Sequence, residues 1–80
     1  MRKYSENNQL IEAVCNCCKK KMKLQNGIIT EGVFSVEYAF GYFSSKDEEI
    51  HKFDLCETCY DEWIQTFGIP VDVANNTELL

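Results

Sequence analysis

His51-Lys-Phe-Asp-Leu-Cys-Glu-Thr-Cys-Tyr-Asp-Glu-Trp63 changes its period halfway along. Ile50 to Leu55 reads as a strand. Beyond it Tyr60, Trp63, Ile64 and Phe67 fall at i, i+3, i+4 and i+7, one buried stripe of a helix around which the hairpin is expected to pack. Glu57, Asp61 and Glu62 load the first turns with negative charge, as a helix dipole prefers. Gly68 is placed to end the helix and Pro70 to prevent its continuing, so the pattern predicts a helix from Glu57 to Phe67. Cys56 and Cys59 therefore sit at a helix mouth, where free backbone N–H groups and positive potential favour thiolates.

A second Cys-x-x-Cys pair lies upstream in Cys15-Asn16-Cys17-Cys18-Lys19-Lys20, which reads as a knuckle, a tight turn with amides aimed at the sulfurs. Such knuckles often carry glycine after the second cysteine. Lys19 stands there instead and has to accept a left-handed backbone. Cys15, Cys18, Cys56 and Cys59 together supply four thiolates, the donor set of a closed tetrahedral zinc site. Iron would accept the same sulfurs, but rubredoxin-like knuckles surround them with proline and glycine, and these do not. Zinc is the expected ion. An 80-residue chain buries too little apolar surface to be robust alone, so a metal tying distant segments together suits its size.

The 37 residues between Cys18 and Cys56 exceed the usual spacing in such pairs, and hairpins account for them. Asn26-Gly27, between Met22/Leu24 and Ile28-Ile29, is a strong signal for a tight two-residue turn. After Gly32 comes the longest β-like run, Val33 to Phe43, with Phe34, Val36, Tyr38, Phe40 and Tyr42 on one face. Ser35, Glu37 and Gly41 fall on the other. Ser44 to Glu48 is a polar loop, so residues 33–55 form a larger hairpin. Leu10 to Val14 forms a short strand into the first knuckle. Residues 1–9 are polar and aperiodic and read as a flexible arm, 10–71 as one zinc-binding domain, and 72–80 as a flexible tail.

The order of knuckle, hairpin and cysteine pair entering a helix resembles the treble-clef zinc modules. The likeness carries over to Cys15, Cys18, Cys56, Cys59 and the helix from about Glu57. HKFDLCETCYDEW is also similar to short zinc-binding proteins of Gram-positive bacteria and their phages, a likeness that brings no function with it. A zinc ribbon is the alternative, favoured by the Asn26-Gly27 turn so close behind the first knuckle. The helix after the second pair favours a treble-clef-like, small α+β domain.

Composition narrows the function classes. At 45% hydrophobic with ten aromatic residues, the chain is globular rather than disordered. Five cysteines, an odd number, and no apolar segment behind Met1-Arg2-Lys3 lead to an expected reducing cytoplasm rather than a secreted disulfide scaffold. No apolar stretch is long enough for a membrane span. The net charge of −5 is divided unevenly. Residues 1–24 hold six Lys/Arg and two acids, whereas residues 25–80 hold two Lys and eleven acids. That balance argues against wrapping nucleic acid, although Lys19, Lys20, Lys21 and Lys23 form a local basic edge that could meet phosphates.

No serine-histidine-aspartate order, phosphate loop or His-Glu-x-x-His appears, and four cysteines close the metal position, so an enzyme is not expected. His51 reads as a packing or surface histidine rather than a ligand. Cys17 is the leftover thiol, either a bystander in the knuckle or a redox-sensitive group beside its lysines. The aromatic run is a sheet core face before it is a platform for bases. Val33, Ala39 and Phe43 on the opposite face suggest an apolar surface for a partner. The expected role is a non-enzymatic, zinc-stabilised interaction module or small regulator that binds a protein. The alternatives are a nucleic-acid-binding zinc finger acting through Lys19–Lys23 and a thiol or metal redox sensor acting through Cys17.

Overall fold

The computed structural model describes residues 1–75. Six strands and one helix follow in chain order: β1 Arg2–Tyr4, β2 Leu10–Ala13, β3 Leu24–Gln25, β4 Ile28–Ile29, β5 Val33–Ala39, β6 Ile50–Cys56 and α1 Glu57–Ile64. They form a small α+β fold of three two-stranded antiparallel sheets, β1-β2, β3-β4 and β5-β6, with the helix last.

Local rules account for most of these elements. Asn26 at φ 53° and Gly27 at φ 78° make the tight turn joining β3 to β4, with Leu24 opposite Ile29. The long hairpin keeps one register throughout, from Val33 opposite Cys56 to Ala39 opposite Ile50. Phe34, Val36 and Tyr38 share a face with Leu55, Phe53 and His51, as the alternation predicts. The other face is polar at its middle, where Ser35 donates to Asp54 at 2.6 Å and Lys52 lies 3.7 Å from Glu37. Strand pairing stops at Ala39, short of the expected Phe43, and Tyr42 and Phe43 stand in the exposed turn beyond it. Gly32 lies against the Glu57 side chain at the helix start.

Three expectations need correction. The segment 1–9 is not a free arm: Arg2–Tyr4 pairs with Leu10–Ala13 around a turn in which Asn8 takes φ 62°. Ion pairs to other segments of the chain hold it there, with Lys3 bonded to Glu12 at 3.2 Å and Arg2 to Asp54 at 3.1 Å. A reading based on apolar period cannot see such polar anchoring. The helix, in turn, ends at Ile64 rather than Phe67. The Thr66 hydroxyl and the Thr66 amide both donate to the Trp63 carbonyl, at 2.7 and 3.0 Å, tightening the final turn.

The third correction concerns the core. Tyr60, Trp63, Ile64 and Phe67 do not form a buried centre, because Cys59 is the only buried residue of the helix. Trp63 and Phe67 remain 42% and 40% exposed. A two-stranded sheet is about 10 Å wide and an eight-residue helix about 12 Å long, too little to enclose that stripe. The aromatic contacts are instead partial: Phe34 to Tyr60 at 4.8 Å between ring centres, Phe53 to Trp63 at 6.5 Å, and Trp63 to Phe67 at 5.5 Å. The buried cluster gathers around sulfur: Ala13, Cys15, Met22, Leu55, Cys56 and Cys59, flanked by Leu24, Ile29, Val33, Phe34 and Phe53. Of the expected tail, residues 72–75 carry no regular structure, and residues 76–80 lie outside the described residues.

Candidate metal centre

Cys15 follows β2 and opens the first knuckle. Its amide donates to the Lys20 carbonyl at 2.9 Å, its carbonyl accepts from the Lys19 amide at 2.9 Å, and its sulfur accepts from the Cys18 amide at 3.5 Å. Closing so tight a loop requires Lys19 to adopt φ 69°, the left-handed conformation expected at that position. Cys56 ends β6 and begins the helix at φ −71°, ψ 162°, and its side chain makes no capping bond to the helix amides. The Cys56 sulfur instead lies 3.8 Å from that of Cys18. Cys59 sits one turn into the helix, buried on the same side.

The four sulfurs of Cys15, Cys18, Cys56 and Cys59 lie within 4.8 Å of one another and can hold a metal ion. A tetrahedron with metal–sulfur bonds of about 2.3 Å has edges of about 3.8 Å, the Cys18–Cys56 separation. None of the five cysteines is in a disulfide. Burial pushes the Cys15 thiol up, but the backbone amides of Cys18, Cys56 and Cys17 outweigh it and hold the thiol at about 6. The Cys59 thiol is driven well up, first by its hydrogen bond to Cys56 and then by burial. Crowded sulfurs cannot all be anionic without a counter-charge, so some retain protons that a cation would displace.

Two residues that no motif marks hold the halves of the cluster together. The Asn16 amide donates to the Asp54 carbonyl at 2.8 Å, and the Asp54 amide donates to the Asn16 side-chain oxygen at 3.0 Å. Asn16 adjoins Cys15, and Asp54 lies two residues before Cys56, so this exchange sets one cysteine pair against the other. The Asp54 carboxylate, 5% exposed as a residue, accepts from Ser35 at 2.6 Å, from Arg2 at 3.1 Å and from the Met1 amine at 3.1 Å. Burial alone would raise its pKa, and the bonds from Ser35, Arg2 and the amine overcome it and hold the carboxyl below the usual range. Asn16 also accepts from the Met1 amine. An aspartate inside a strand was the available signal, though not for which residues would answer it.

The remaining candidates fall outside the cluster. His51 packs edge-on against Phe40, 4.8 Å between ring centres, and its Nε2 lies 3.0 Å from Glu49. It lies five positions before Cys56 along β6, about 17 Å away. Cys17 is exposed and its sulfur is not among the four that converge. Half of the basic edge is paired: the Lys20 ammonium lies 2.6 Å from Glu31 and that of Lys21 3.4 Å from Glu12, while Lys23 meets Glu31 only through its backbone amide, at 2.7 Å. Among the described residues no helix is long and apolar enough to cross a membrane. No family model, curated protein or solved structure matches the chain.

Proposed function

We propose that this chain is a zinc-stabilised, treble-clef-like interaction module that binds a protein partner and carries out no reaction of its own. The donor set supports zinc: four soft sulfurs within 4.8 Å of one another suit that ion and would leave no position for a substrate. Cys15, Cys18, Cys56 and Cys59 would hold it, and the charge it supplies would let all four thiols ionise together. Knuckle, hairpin, second pair and helix keep the treble-clef order along the chain.

The observation that carries the binding role is the placement of large apolar side chains on the surface. Trp63 and Phe67 at one end of the long hairpin, and Tyr42 and Phe43 at the other, lack the cover that a monomer of this size normally gives such residues. Two of the four lysines that would favour nucleic acid, Lys20 and Lys21, instead pair with Glu31 and Glu12. Cross-linking in native cells followed by mass spectrometry, set beside DNA and RNA titrations at two salt concentrations, tests the role. A protein cross-linked at stoichiometric yield is expected. Steeply salt-dependent nucleic-acid binding that disappears in Lys19/Lys20/Lys21→Ala would overturn it.

A further inference from the structure

One groove of about 440 Å³ runs between the helix, the end of β6 and the first knuckle. Phe53, Leu55 and Trp63 line it together with Cys17 and Cys59, and Glu62 is its one formally charged lining residue. An apolar wall with a single carboxylate suits a ligand that pairs a hydrophobic side chain with a cation. The surrounding charge agrees. Residues 53–75 contain Asp54, Glu57, Asp61, Glu62 and Asp72 and neither lysine nor arginine. Among the described residues, Asp61 and Glu62 form no ion pair, whereas the acids near the basic edge, Glu12 and Glu31, do. Glu62 thus faces the groove with its charge uncompensated from within the fold.

We propose that this groove seats a short cationic, apolar segment of a protein partner. A leucine or phenylalanine of that segment packs on Phe53, Leu55 and Trp63, and a neighbouring lysine or arginine meets Glu62. The indole face adds a cation–π contribution where the cation lies over it. The proposal rests on the reading of the chain as a protein-binding module and specifies which surface binds and what it recognises.

Trp63 is the sole tryptophan, so its emission reports the groove directly. The metal-loaded full chain is titrated with a short peptide of lysine, leucine, phenylalanine and serine. One control peptide carries glutamate for lysine, and another carries serine for leucine and phenylalanine. The expected result is a saturable shift in Trp63 emission with the first peptide only, weakened about tenfold by Glu62→Lys, whose site is exposed and whose melt should match the parent's. The glutamate peptide should gain affinity for that variant. Equal binding of the serine control, or binding indifferent to Glu62→Lys, would overturn the proposal. Emission that depends on protein concentration alone would overturn it in favour of a second copy, and emission that shifts on deleting residues 76–80 would do so in favour of the chain's own end. Failure of the peptide while a cellular partner still cross-links to Glu62→Lys sinks the groove and leaves the binding role standing. Absence of any cross-linked protein, with no peptide binding, sinks both.

Discussion

The two ends of the β5-β6 hairpin are built from the same kind of residue and meet opposite fates. At one end Leu55 and Cys56 are 8% and 3% exposed, packed among sulfurs and held by the Asn16–Asp54 exchange. At the other, Tyr42 and Phe43 are 83% and 99% exposed. Seven ladder positions join them without a break in register. Apolar character alone therefore does not decide burial in so small a chain. The helix ends at Ile64, and Tyr38 farther along the ladder is already exposed.

The contrast is broken most completely at the metal end. Chelation of the loaded protein, or Cys56→Ser, is expected to abolish the cooperative melt and the near-UV dichroism, because a structural zinc contributes on the order of 10 kcal/mol. Elemental analysis should find one zinc per chain beforehand. A chelated protein that melted unchanged would detach the core from its supposed centre.

Paired truncations sharpen the contrast. Leu55→Ala should cost about 2–4 kcal/mol by chemical denaturation, while Phe43→Ala should stay within about 0.5 kcal/mol of the parent. Similar losses for the two would mean that the tip is covered in solution.

Asp54 comes next. Asp54→Ala should cost about 3 kcal/mol, since it strips the carboxylate partner from Arg2, Ser35 and the Met1 amine, while the backbone exchange with Asn16 is kept. Its depressed carboxyl also gives a pH signature. A folded value below the unfolded one adds stability that is present above about pH 4 and is lost as pH falls through the folded value. Asp54→Asn should flatten the stability profile over that acid range, in melts recorded from pH 6 to pH 2.5. A mutant profile as steep as the parent's would assign acid sensitivity elsewhere.

The smallest effect has the opposite sign. Lys19 holds φ 69° in the knuckle, a conformation that glycine adopts without a Cβ clash. Lys19→Gly should raise stability by about 0.5 kcal/mol, the relief of strain exceeding the added freedom of the unfolded chain. A lower melting temperature would show that the lysine side chain contributes a contact worth more than the strain.

Residues close in sequence were legible because their geometry is local. The cysteine spacings mark the four converging sulfurs, Asn26-Gly27 marks its turn, and alternation marks the face shared by Phe34, Val36 and Tyr38. Period also identifies a helix after Cys56 but misjudges how much of its stripe is buried. A helical period says which residues share a side, whereas the width of the opposing surface says whether that side is covered. The arm at residues 1–9 was misread for a related reason: Arg2 and Asp54 are 52 residues apart, and neither carries an apolar signature.

What the amino-acid order determined by itself is the set of four cysteines that converge, the hairpins and the start of the helix, because turn dihedrals, two-residue thiol spacings and side-chain periods act over a few residues. Only the tertiary structure decided that Asn16 and Asp54 join the halves, that Arg2–Tyr4 becomes a strand, and that Phe53, Leu55 and Trp63 are left lining a groove beside Glu62. Those outcomes depend on which distant groups meet once the sulfurs converge. Hydrogen bonds and packing of that kind follow from three-dimensional proximity, which no local pattern encodes.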